Sequence, residues 1–147
     1  MTPRQRMLIQ STYEMAMPRL NMVSNRFYAR LLKAQPELNK LFKGDLQKQG
    51  QLFSFFITHV IQNLGQSEDV EKMLSELGVR HKQYGVHRVH YELASKILIS
   101  SVRLASGINH SYEIHKAWEA FYAYLVLHMD SGQSAEIPAE RLGILHQ

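Results

Sequence analysis

Apolar residues return every three or four positions along almost the whole of this chain, and no stretch bounded by turn residues alternates apolar with polar. That spacing puts one apolar stripe on one side of a helix, whereas a half-buried strand needs a period of two. An all-α fold is therefore expected. The clearest stripe is Phe53, Phe56, Ile57, Val60, Ile61 and Leu64, and it extends back to Gln49, so an amide falls on a buried face. A length of 147 residues suits one core rather than two. Residues 1–132 are expected to form that domain, with 133–147, which carries Ser134, Pro138 and Gly143, as a loosely docked tail.

Proline and glycine punctuate the helices. Pro3 suits a first turn, and a helix through Tyr13 and Met17 should break near Pro18, because an interior proline removes a hydrogen bond and clashes with the preceding turn. A second helix carries Met22, Val23, Phe27, Tyr28, Leu31 and Leu32 inward. Pro36 then opens a short turn through Leu38 and Leu41 to Phe42, followed by a loop at Lys43-Gly44-Asp45. Gly65-Gln66-Ser67 is the next break, with Ser67 as a candidate cap for a helix that buries Val70, Met73, Leu74 and Leu77 and stops at Tyr84-Gly85. His81 lies four residues past Leu77 and so projects from the same face. Two long helices follow, one with Tyr91, Leu93, Ile97, Leu98 and Val102 inward, the other with Ile114, Trp118, Phe121, Tyr122, Leu125 and Met129.

Composition removes several function classes. No window approaches the roughly 20 apolar residues of a membrane span, and Met1-Thr2-Pro3-Arg4-Gln5-Arg6 lacks the pattern of a secretory leader. A soluble, cytoplasmic protein without a membrane partner is expected. The absence of cysteine excludes disulfides and thiolate chemistry. The formal charge of +4 is scattered, without a basic block or an aromatic-interleaved stripe, so nucleic acid is not an expected partner; the same surface favours an acidic protein.

The informative constellation is an inward His81 facing an apolar region that also holds Tyr28 and Gln49. Buried polar groups need partners, and three that converge suggest something between them. From the residues alone two readings stand: a hydrogen-bonded core histidine in a helical interaction domain, or a ligand to a metal.

The ordered set of pieces resembles the globin family, specifically bacterial single-domain haemoglobins and the globin domains of flavohaemoglobins. It runs from Phe27-Tyr28 with Leu31 and Leu32, through Pro36-Glu37-Leu38 and Leu41-Phe42, to Gln49–Leu64. It continues with Leu77-Gly78-Val79-Arg80-His81, Tyr84-Gly85-Val86, His90-Tyr91, and Ala117-Trp118 with Tyr122. The separation of Gln49 from His81 equals that between the family's distal and proximal positions. The resemblance implies a three-over-three helical sandwich around a b-type haem whose iron is bound by His81. Phe42 would pack flat on the porphyrin, Leu77, Val86 and Phe53 would line its pocket, and Arg80 and Arg88 would be placed to pair with its propionates. His90 is the runner-up ligand.

By the same resemblance Tyr28 and Gln49 are the distal pair, set to donate hydrogen bonds to O2, with NO and CO as further diatomic ligands. Such bonds to a partly charged acceptor are worth about 1.5–3 kcal/mol each, which implies tight binding and slow release. Tyr91 matches a tyrosine beside the proximal histidine. The glutamate that completes this group in flavohaemoglobins falls here on Gln133, with Glu136 nearby in sequence. The implied functions are O2 binding coupled to nitric oxide dioxygenation, which needs a separate reductase, or gas sensing or O2 storage without turnover.

Overall fold

A computed structural model describes residues 1–42, 44–65 and 68–131. Helix α1, Pro3–Ala16, begins where expected: the Thr2 hydroxyl accepts from the Gln5 N–H at 3.0 Å, and the Gln5 side chain accepts from the Thr2 N–H at 3.0 Å. Pro18 converts the chain to a short 3-10 segment, Met17–Arg19, before α2, Leu20–Ala34. A second 3-10 segment, Pro36–Leu41, leads to Phe42. Asp45 caps α3, Leu46–Gln62, accepting from the Gln47 N–H at 2.9 Å. Then come α4, Glu68–Gln83, α5, Arg88–Ser106, and α6, Tyr112–Ser131; Gly107, at φ 74°, ends α5 in the left-handed conformation that glycine adopts without strain. Among the described residues there is no strand, and no helix is long and apolar enough to cross a membrane.

The helices form two layers, with α1, α3 and α4 laid across α2, α5 and α6. Helix α1 packs on α5 and α6, α2 on α3 and α5, and α4 on α6. Trp118 and Phe121 of α6 are completely buried. The Trp118 indole N–H donates to Thr12 Oγ1 of α1 at 2.9 Å, and that hydroxyl donates onward to the Leu8 carbonyl at 2.7 Å. Two crossings depend on glycine. A Cβ at Gly50 would stand 3.2 Å from Ser24 Oγ, and one at Gly78 would stand 1.9 Å from the Met129 carbonyl oxygen, so α4 lies backbone to backbone on α6.

Expected inward positions are buried or half-buried, with one exception on α2. Met22 is exposed, because the face of α2 that meets the core is Val23, Phe27 and Leu31, spaced by four, and Met22 lies off that row. Lys43 of the expected loop, the Ser67 cap and the tail at 133–147 lie outside the described residues.

Candidate functional site

Among the described residues, α3 and α4 make little contact with one another. Each rests on a different neighbour, α3 on α2 and α4 on α6. The space between them is a mostly apolar pocket whose wall includes Tyr28, Phe42, Gln49, Phe53, Leu77, His81, Val86 and Tyr91. Eight of the ten residues assigned to the site from sequence therefore share one cavity. Arg80 is not on the wall: it is buried on α4, 6% exposed, because its position beside His81 turns it away from the pocket. Arg88, at the start of α5, is exposed and borders a separate groove between α5 and α6.

Across the pocket from α4, the aromatic side chains are mutually supported. Phe53 stacks on Phe27 with ring centres 4.6 Å apart, and Tyr28 meets Phe27, Phe42 and Phe53 edge to face at 5.3–5.8 Å. Only the Tyr28 hydroxyl and the Gln49 amide are polar here, and both residues are buried, 8% and 7% exposed. Gln49 Nε2 donates to the Tyr28 oxygen at 3.4 Å, while Gln49 Oε1 is buried without a partner. Burial pushes the Tyr28 phenol up to about 12, against the smaller opposing effect of the Gln49 bond. The phenol is thus neutral at ordinary pH and keeps its proton available to donate.

On the α4 side, His81 Nδ1 and the Tyr91 hydroxyl are 3.2 Å apart. Burial, and then the charge of Arg80, push the His81 imidazole down to about 4. A neutral ring whose Nδ1 is held by Tyr91 leaves the Nε2 lone pair as its free donor, the usual state of a metal-bound imidazole. Burial, and then Asp130, raise Tyr91 to about 12. Tyr122 also lines the pocket, and burial followed by Tyr91 pushes its phenol further up.

His90 is on the wall too, but both of its nitrogens are engaged. Nδ1 accepts from the His87 N–H at 3.0 Å, and Nε2 lies 3.4 Å from Glu37 Oε1. That arrangement ties the start of α5 to the Pro36–Leu41 segment beside the pocket. Sequence reasoning left the Glu37–His90 pair out of the site; the two residues are 53 apart, and no local spacing announces the contact.

Among the described residues no three His, Cys, Asp or Glu side chains gather as a metal cage. A single neutral imidazole in an apolar pocket, with an orphaned amide oxygen in the same cavity, suits a metal that brings its other ligands within a flat apolar ring. The residues present thus fit a haem.

The Globin family profile matches residues 25–129. The flavohaemoprotein of Bordetella pertussis is 25% identical over 128 residues, covering 85% of this chain and 32% of its own length. That of Bacillus subtilis is 25% identical over 137 residues, covering 88% of this chain and 34% of its own. The chain thus spans about a third of the length of these relatives. Among solved structures, a bacterial globin from Campylobacter jejuni superposes with a TM-score of 0.73 at 18% identity, covering 90% of this chain and 96% of its own. A flavohaemoglobin from Malassezia yamatoensis with bound FAD and haem gives 0.68 at 21% identity, covering 90% and 36%. Because the family profile spans most of its length and its helical fold agrees with solved globins, the chain belongs to the globin family.

Proposed function

We propose that this chain binds haem b through His81 and reversibly takes a diatomic gas, O2 above all, beside Tyr28 and Gln49, in the cytoplasm. The observation that carries the reading is the neutral His81 imidazole, held at Nδ1 by Tyr91, in the same apolar cavity as a proton-bearing phenol that Gln49 steadies. The haem and FAD of the Malassezia flavohaemoglobin, and the flavohaemoprotein relatives, support it.

When bound, haem supplies an iron that takes the gas and, with one electron per turnover from a separate reductase, the redox chemistry that combines O2 with nitric oxide to give nitrate. The chain's own part is positional and electrostatic. His81 offers Nε2, and Tyr91 fixes the plane of its ring. Tyr28 donates a hydrogen bond to a gas ligand in the pocket. Gln49 donates to the Tyr28 oxygen and so polarises the O–H outward. Phe53, Phe42, Leu77 and Val86 exclude water, which keeps that bond strong.

Spectra of the ferric, ferrous and O2-exposed protein test this reading. An intense porphyrin band is expected that weakens in His81→Gly and returns with added imidazole; unchanged ligation in His81→Gly overturns the assignment. Nitric oxide consumption over many cycles with a reductant supports turnover, and one stoichiometric burst supports sensing or storage.

A further inference from the structure

Away from the pocket, a face formed by α2 and α5 collects positive charge without neutralising it. Arg26 and Arg30 are one turn apart on α2, and so share a face. Arg26 Nη2 reaches across to Ser100 Oγ on α5 at 3.4 Å, and Arg103 follows Ser100 by three residues on the same side of α5. Among the described residues no carboxylate lies within ion-pair distance of these three arginines. Glu119, which shares a groove wall with Ser100 and Arg103, is already held by Lys116 at 3.1 Å and faces His115 at 3.5 Å.

Arg26 is the strained member. Its Nε is buried and has no hydrogen-bond partner, and its contact with Ser100 is long. Burial, then the charges of Arg30 and Arg103, lower its pKa, as expected of guanidiniums forced together. An orphaned donor and uncompensated repulsion are removed together by an anion of high charge density. Guanidinium forks match the paired oxygens of phosphoryl groups, and several adjacent forks suit several linked phosphoryls better than one carboxylate.

We infer that Arg26, Arg30 and Arg103 form a binding site for a small ligand carrying a chain of phosphoryl groups, independent of the haem pocket. Arg30 and Arg103 are exposed and meet the ligand first; Arg26, half-buried, turns outward and gives its idle Nε a partner. A nucleoside triphosphate and an inorganic polyphosphate share this chemistry, so the test carries both.

The experiment is calorimetric titration of the haem-loaded protein with ATP, with tripolyphosphate and with adenosine, at low and at physiological salt. ATP and tripolyphosphate should bind, more weakly as salt screens the cluster, and adenosine should not. Tighter binding of ATP identifies a nucleotide as the ligand, and equal affinity an inorganic polyphosphate. The exposed double variant Arg30→Gln/Arg103→Gln should weaken both by about tenfold or more. A control of equal net charge, Lys48→Gln/Lys72→Gln, should not. Arg26→Gln, checked for fold by circular dichroism, should weaken them as well. Absence of binding by either phosphate compound, or affinities that the arginine variants leave unchanged, overturns the site. Neither result bears on haem or gas binding, which the porphyrin spectrum reports separately.

Discussion

Tyr28 and Gln49 are unequal partners. Gln49 Nε2 donates to the Tyr28 oxygen, so the tyrosine proton is the one left free, and in the proposed function Gln49 would act on a ligand mainly by fixing and polarising that hydroxyl. Tyr28→Phe keeps the ring and its edge-to-face contacts and removes only the donor. Its expected effect is an O2 release rate faster by about 10- to 100-fold, measured by stopped-flow displacement with CO. Gln49→Leu should speed release less, because the phenol still donates; an equal or larger effect would show that the amide reaches the ligand itself. Opposite them, Tyr91→Phe removes the partner of His81 Nδ1. The ring then loses its fixed orientation and some basicity, so the iron–histidine stretching band in the Raman spectrum should shift to lower frequency while porphyrin binding persists. An unmoved band would assign Tyr91 to packing alone.

At the scale of helices, the placement of His81 depends on a residue with no side chain. Gly78, one turn before it, allows α4 to rest on the backbone of α6 at Met129. A methyl group there cannot be absorbed by a side-chain rotation, because the atom it meets is a main-chain oxygen. Gly78→Ala should therefore push α4 off α6, cost about 1–3 kcal/mol by overpacking, and loosen the haem. Lowered thermal stability together with faster transfer of haem to an acceptor protein is the expected result; a variant as stable as the parent would mean that α4 shifts freely. Much of the helical plan was legible because Pro3, Pro18, Pro36 and Gly85 act locally, and because the three-four spacing of Phe53 to Leu64 and of Val70 to Leu77 reports burial directly. Periodicity turned His81, Tyr28 and Gln49 inward and so suggested that they converge, but their division into two opposed sides came through resemblance, since periodicity gives the face of a helix and not what faces it. Gly78, Gly50 and the Glu37–His90 pair stayed hidden for related reasons: a glycine adds nothing to an apolar stripe, and a contact between residues 53 apart exists only once the helices cross.

Across the whole molecule, a formal charge of +4 sits beside an interior that lowers the pKa of His81 and His110, and for His110 the two meet at the turn between α5 and α6. His110 Nε2 lies 3.2 Å from Ser106 Oγ, and the Ser106 hydroxyl donates to the Arg103 carbonyl at 2.7 Å. The serine oxygen therefore accepts the Nε2–H, which leaves Nδ1 as a buried lone pair without a partner. Burial, then the charges of Arg103 on α5 and His115 on α6, hold the His110 pKa below its ordinary 6.5. On acidification the unfolded chain takes up this proton before the folded one does. The stabilisation is thus complete above about pH 6.5 and is lost as pH falls toward the folded value. His110→Gln removes the titration while keeping a side-chain N–H for Ser106. Melting temperatures of the haem-loaded variant and parent, followed from about pH 7.5 to about pH 5, should converge or cross because the parent declines more steeply. Parallel curves would mean that His110 takes its proton equally well in both states, and that the positive face formed by α2 and α5 does not reach this turn.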